Sequence, residues 1–182
     1  MRLVLLDRDG ILNEDRRDYV KTPDELVMIP GAAAAVARLN RAGVATAVCT
    51  NQSSVGRGIV RPEMIERIHA RLAQNLSAAG ARIDAIFVCP DPPGAPSRCR
   101  KPAPGMLIDA MRRFGAAPAE TPFLGDQLGD LEAAAAAGCP RHLVRTGRGP
   151  ETQAAGLPAA VLPVGVHEDL DAAVTAILGA SG

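Results

Sequence analysis

The sequence is poor in aromatic side chains: among 182 residues there is no Trp, one Tyr and three Phe. Stacking platforms for nucleobases and sugar rings are built from such side chains, so neither kind of site is expected. It also lacks an excess of charge. Twenty Lys and Arg balance twenty Asp and Glu, and without a basic surplus neither nucleic acid nor a membrane surface is an expected partner. No apolar run approaches the roughly 18 residues of a membrane span. At the N-terminus only Leu3–Leu6 separates Arg2 from Asp7, which is not a signal-peptide pattern. The four Cys, at 49, 89, 99 and 139, are scattered in a chain long enough to be held by a core. Reduced thiols and a cytoplasmic location are therefore expected.

What is present suggests one domain spanning 1–182, with 47% hydrophobic residues to fill its core. Short continuous apolar runs alternate with segments of helical period. Leu3–Leu6, Val44–Cys49, Ile83–Cys89, Pro122–Leu124 and His142–Arg145 read as buried strands. Between them lie an alanine-rich helix from Pro30-Gly31 to Gly43, a helix from Pro62 to Gly80, and helices over Met106–Phe114 and Leu131–Ala137; a closing helix covers Asp169–Leu178. Strands separated by helices imply a doubly wound α/β fold: three α/β/α layers around a parallel sheet.

In such a sheet ligands bind beyond the carboxyl ends of the strands, and four polar clusters fall there. Asp7-Arg8-Asp9-Gly10 puts two carboxylates one residue apart, able to share a divalent cation or to divide nucleophile and acid–base roles. The plain alternative is a turn that Asp caps and Gly10 closes. Thr50-Asn51-Gln52-Ser53 offers hydroxyls, amides and backbone N–H groups to phosphate oxygens, although a simple loop has the same composition. Cys99-Arg100-Lys101-Pro102 carries a point charge and a bidentate donor, or else two solvated cations. Gly125-Asp126-Gln127-Leu128-Gly129-Asp130 holds acids four apart that can complete an oxygen site for Mg²⁺; Asp130 can equally be the cap of a helix at Leu131.

Taken together and in this order, the four clusters resemble the motifs of the haloacid dehalogenase superfamily over roughly residues 3 to 138. That resemblance implies a Rossmann-like fold and an aspartyl-phosphate mechanism. Asp7 becomes the nucleophile and Asp9 the acid and base, while Thr50 and Lys101 hold the transferring phosphoryl group. Mg²⁺ would be bound by Asp7, the main-chain carbonyl of Asp9 and Asp126, with Asp130 in support. The stretches where superfamily members insert a cap domain are short here, so a capless, open site is expected. The detailed wording, which includes Arg57-Gly58 and Pro104-Gly105-Met106, is similar to the D-glycero-D-manno-heptose 1,7-bisphosphate 7-phosphatase family. The related histidinol-phosphatase module shares much of it. The first resemblance implies removal of a C7 phosphate from a small phosphorylated sugar in surface-polysaccharide precursor synthesis; a capless domain of this size is expected to be a monomer. Arg100, Asp15, Tyr19, Asn51, Gln52 and Ser53 would then be substrate contacts. Histidinol phosphate or another small phosphomonoester is the alternative substrate, and a non-catalytic phosphate-binding module the remote one.

Two departures stand out. Both families place a structural Zn²⁺ on a Cys-x-His and Cys-x-Cys pair, whereas those positions here read Cys89, Asp91, Ser97 and Cys99. Tightly bound zinc is therefore expected to be absent. Gln127 stands where the heptose enzymes place a Lys beside the metal-binding Asp. Cys49 and Cys139 are expected to be packing residues, and His69, His142 and His167 to lie away from the four motifs.

Overall fold

A computed structural model describes residues 1–180; the final two residues of the expected 1–182 unit lie outside it. Six parallel strands form one sheet: β1 (Leu3–Leu6), β2 (Ala45–Asn51), β3 (Ala85–Cys89), β4 (Phe123–Gly125), β5 (Arg141–Val144) and β6 (Gly165–His167). The helices are α1 (Ala32–Arg41), α2 (Ser53–Gly56), α3 (Pro62–Ala78), α4 (Gly105–Phe114), α5 (Leu128–Ala137), α6 (Gly149–Ala154) and α7 (Leu170–Gly179).

The strand order is β3-β2-β1-β4-β5-β6. The chain builds outward from β1 to β3, then crosses back to place β4 on the other side of β1. That reversal lies between β1 and β4, where Leu6 is paired with Leu124, so the residues leaving these two strands emerge side by side.

Both faces of the sheet are covered, which is why β1 is apolar without alternation. Val4 and Leu6 pack into a core shared with α1, α3 and α7, through residues such as Leu39, Ile68, Leu72 and Val174. Leu3 and Leu5 enter a second core with Phe123, Leu107, Ala110 and Ala133 of β4, α4 and α5. Each fully buried Leu contributes about 1.5–3 kcal/mol of transfer free energy.

The fold class agrees with the sequence reading, and four local differences have physical causes. Thr50 and Asn51 extend β2 instead of starting a loop, and residues after them make the single helical turn α2. Helix α5 begins at Leu128, three residues earlier than the apolar pattern suggests, because the Asp130 carboxylate accepts the Gln127 N–H at 3.0 Å and closes the first turn. Asp130 is thus inside the helix, neither in a loop nor at its cap. Strand β6 and helix α6 are absent from the sequence reading, being too short to show a period. Among the described residues no cap is inserted: residues 7–31 form turns and one short 3₁₀ turn, Pro23–Glu25, and only residues 79–84 separate α3 from β3. Among the described residues no helix is long and apolar enough to cross a membrane.

Candidate active site

The four strand-end clusters converge on one cavity of about 310 Å³. Asp7, Asp9, Thr50, Asn51, Gln52, Ser53, Arg100, Lys101 and Asp130 line it, with Asp15 and Tyr19 at its wall. Every substrate and catalytic residue expected from the sequence is therefore at this cavity; Asp126 is fully buried just beneath it.

Its floor is a carboxylate cluster around one ammonium. Lys101 Nζ, almost wholly buried, lies 2.9 Å from Asp7 Oδ1 and 2.6 Å from Asp130 Oδ1. Burial alone would discharge this lysine, but the charges of Asp130 and Asp7 outweigh that and raise its pKa. The amide of Asn51 fixes the lysine from behind, accepting its N–H at 3.1 Å and donating to its carbonyl at 3.0 Å. Asn51 is thereby spent on holding Lys101, which sequence reasoning assigns to phosphate contact.

Asp7 accepts the Arg8 N–H at 2.7 Å. Burial, with Asp130 and Asp9 nearby, pushes its carboxyl up to about 7 despite Lys101. Asp126 is pushed up to about 8, by burial first and then by Asp130 and Asp7. These are acids crowded without enough positive charge. Carboxylate oxygens of Asp7, Asp126 and Asp130 come within 4.8 Å of one another, and Asp126 Oδ1 is buried with no partner. An all-oxygen set with an unused, inward-facing acceptor fits a hard divalent cation such as Mg²⁺.

Asp9 is held differently. Both its oxygens face Arg8, whose Nη2 lies 2.8 Å from Oδ1 and 2.9 Å from Oδ2. Asn13 and Gln52 each donate at 2.8 Å. Burial opposes ionisation, but the Arg8 charge and these hydrogen bonds win and hold the carboxyl below its usual range. Gln52 also reaches Thr50 Oγ1 at 2.9 Å, which leaves the threonine proton free to point elsewhere.

The histidine expectation is corrected at one position. His69, on α3, lies with Nε2 3.2 Å from Arg8 Nη1, directly behind the first motif. Burial and the Arg8 charge lower its pKa to about 4, so it stands neutral as an acceptor for the arginine. His142 and His167 do lie elsewhere, paired on β5 and β6 at 2.9 Å. Cys49 and Cys139 are buried packing residues, as expected.

Cavity residues that sequence reasoning leaves without a role are Arg8, Arg16, Arg17, Arg57, Gln127 and Arg148. For Arg148 a signal existed: Thr146-Gly147-Arg148-Gly149 is a polar, glycine-containing cluster directly after a strand, the same signature as the four motifs. The arginines after Asp15 carry no such signal, since isolated surface cations are ordinary.

In the loop entering Lys101 the sulfurs of Cys89 and Cys99 and a carboxylate oxygen of Asp91 lie within 4.8 Å of one another. Against the reduced thiols expected from the sequence, Cys89 and Cys99 are joined as a disulfide, because the loop brings their Cα atoms to 5.6 Å; Cys49 and Cys139 stay free. Asp91 Oδ2 and Ser97 Oγ complete the quartet at 3.5–3.6 Å and 3.3–3.5 Å from the two sulfurs. While that bond is closed neither sulfur is a thiolate, and the serine is not a usual Zn²⁺ ligand.

Comparison with known proteins agrees with this geometry. The model of the haloacid dehalogenase-like hydrolases matches residues 2–138. The D-glycero-beta-D-manno-heptose-1,7-bisphosphate 7-phosphatase of Bordetella bronchiseptica is 43% identical over 180 residues, covering 98% of each chain. That of Pseudomonas aeruginosa is 42% identical over 176 residues, covering 97% of each. The solved D,D-heptose 1,7-bisphosphate phosphatase of B. bronchiseptica, complexed with magnesium and phosphate, superimposes with a TM-score of 0.93 at 42% identity over 99% of both chains. The chain belongs to the haloacid dehalogenase-like hydrolases and is a phosphatase of that family.

Proposed function

We propose that the chain removes the C7 phosphate of D-glycero-D-manno-heptose 1,7-bisphosphate, with Mg²⁺, through a phosphorylated Asp7. The observation that carries the chemistry is the buried Lys101 ammonium between Asp7 and Asp130, at the floor of a cavity rimmed by arginines. The substrate reading is supported by near full-length relatives that bear this activity in their names.

In the first step an Asp7 oxygen forms a bond to phosphorus as the bond to the sugar C7 oxygen breaks. Asp9, ionised at rest, passes to that oxygen a proton that the substrate's phosphate brings in as its monoanion. Thr50 and Lys101 meet the phosphoryl oxygens, already fixed by Gln52 and Asn51, so little reorganisation is needed as charge shifts. In the second step a water oxygen bonds to phosphorus as the bond to Asp7 breaks and phosphate leaves, while Asp9, ionised after the first step, takes up the water's proton. Asp7, the Asp9 carbonyl and Asp126 would hold Mg²⁺, which when bound neutralises charge between the carboxylates and the phosphoryl group. Arg100 is read as the recognition group for the sugar or the second phosphate, with Asp15 and Tyr19 beside it.

The same reading makes the chain a single catalytic unit, a monomer acting in the cytoplasm on a small phosphorylated sugar, in surface-polysaccharide precursor synthesis. It also holds that no zinc is bound, in line with the Cys89–Cys99 disulfide. The test is phosphate release with Mg²⁺ from both anomers of the heptose bisphosphate, histidinol phosphate and fructose 1,6-bisphosphate. The β anomer, which the relatives' names specify, should be preferred. Uniformly weak release across the panel would sink the heptose assignment.

A further inference from the structure

The segment Thr146–Arg148 after β5 belongs to none of the four motifs, yet it touches both carboxylate-bearing loops. Thr146 Oγ1 donates to the Gly10 carbonyl at 2.5 Å, on the turn that follows Asp9. The Arg148 main-chain N–H donates to Asp126 Oδ2 at 2.8 Å, and Thr152 Oγ1 donates to the Asp126 carbonyl at the same distance. The Arg148 guanidinium, about half exposed, reaches across the cavity mouth to Asp15 Oδ2 at 2.6 Å.

Gly147 lets the segment come this close. Its φ is +53°, and a Cβ there would lie 2.3 Å from Asp126 Oδ2 and 2.5 Å from the Cα of Gly10. Gly10 faces the same carboxylate, with a Cβ position 2.1 Å from Oδ2. Asp126 is thus clamped between two glycines, with Oδ2 tied to the Arg148 amide and Oδ1 left buried and unpartnered. One acceptor is occupied, so the other is the one presented to a cation.

Resting on the phosphatase reading above, the geometry points to Arg148 as a positioning residue with two separable jobs. Its main-chain N–H orients Asp126 for Mg²⁺. Its side chain tethers Asp15, and with it the 13–20 segment that carries Tyr19, at the wall where the sugar end of the substrate must lie. Arg148 acts on the first through the backbone, which a side-chain substitution leaves in place, and on the second through the guanidinium alone.

The two jobs are separated by Arg148→Met and Gly147→Ala. Arg148→Met should raise KM for the heptose bisphosphate about tenfold, the low end for a charged hydrogen bond because this one is half exposed. Its kcat and its Mg²⁺ affinity, read by calorimetry, should stay within about threefold, and amide hydrogen exchange across 13–20 should quicken. Arg148→Lys should recover part of the KM. Asp15→Asn should act through the same tether, so its effect should not add to that of Arg148→Met. Gly147→Ala, with helix content checked by circular dichroism, should weaken Mg²⁺ binding about tenfold or more and lower kcat. Unchanged KM and exchange in Arg148→Met, full additivity with Asp15→Asn, or wild-type Mg²⁺ affinity in Gly147→Ala would each overturn the assignment. If the wild type released phosphate from no substrate, the phosphatase reading would fail alone, because calorimetry and hydrogen exchange need no turnover.

Discussion

Replacing Lys101 by Met keeps a long unbranched side chain, one atom shorter, and removes the ammonium with its charge and its donors. In the metal-free protein Asp7 and Asp130 then lose the ammonium that lies 2.9 and 2.6 Å from them, all three side chains being almost wholly buried. Removing one partner of a buried pair costs about 3–5 kcal/mol. For a chain of this size each kcal/mol moves the Tm by about 2–4 °C, so Tm should fall by about 6–20 °C in EDTA near pH 8. The loss should shrink with acid. Asp7 stands at about 7 with Lys101 in place, and without it would take a proton at still higher pH, so near pH 5.5 the Asp7 part of the uncompensated charge is gone. Lys101→Met/Asp130→Asn should regain part of the loss. Activity should drop about 10²–10³-fold, as when one preorganised donor to a developing charge is removed. Urea and thermal unfolding at the two pH values, alongside phosphate release, decide the matter. A loss below about 1 kcal/mol near pH 8, the range of an exposed pair, or one indifferent to pH, would refute the reasoning.

Three further outcomes are expected. Asp7 and Asp126 have folded-state pKa values raised to about 7 and about 8 from an ordinary 3.8, so the folded state binds more protons than the unfolded one across that window. Metal-free stability should therefore fall as pH rises from about 4 to about 8; Mg²⁺ should raise Tm more at the upper end, and a flat profile in EDTA would count against the crowded-acid picture. Asp9→Asn should keep its contacts to Arg8 and Asn13 through one oxygen and retain the fold, while kcat falls about 10²–10⁴-fold; rapid-quench trapping of phosphorylated protein locates the slowed step, and near-normal turnover would remove Asp9 from its role. Elemental analysis should find zinc far below one equivalent, and peptide mapping without reductant should recover the Cys89–Cys99 cross-link. Reducing that cross-link, with its separation of 10 residues, should cost about 2–3 kcal/mol in the chain-entropy account; one equivalent of zinc on free thiols would reverse this reading.

The parts of the molecule that were legible in the sequence are those where a single strong signal decides. Buried strands such as Leu3–Leu6 must be apolar on both faces, and the polar residues that stop them then mark the ligand end of the sheet. This brought Asp7, Thr50 and Lys101 to one cavity, with Asp126 beneath it, without knowledge of any contact. What stayed hidden depends on partners far along the chain. Nothing about Asn51 or Gln52 says that their amides are committed to Lys101 and Asp9. His69 belongs to a helix face that reads as ordinary, and its contact with Arg8 spans 61 residues. Asp130 was misplaced because the apolar pattern of α5 starts later than its first hydrogen-bonded turn. The Thr146–Arg148 segment carried the right signature, but its place beside Gly10 depends on strand order, which local pattern does not encode.

Strand β1 sends Val4 and Leu6 into one core and Leu3 and Leu5 into the other, and Asp7 is the next residue. The nucleophile is thus cantilevered from a beam gripped on both sides by independently packed layers. Loosening either grip tilts the beam end, so a cavity opened on the far side of α4 or α1 reaches the reacting atom as misalignment before it reaches the whole molecule as unfolding. In this chain turnover should be the more sensitive gauge of core integrity than melting temperature.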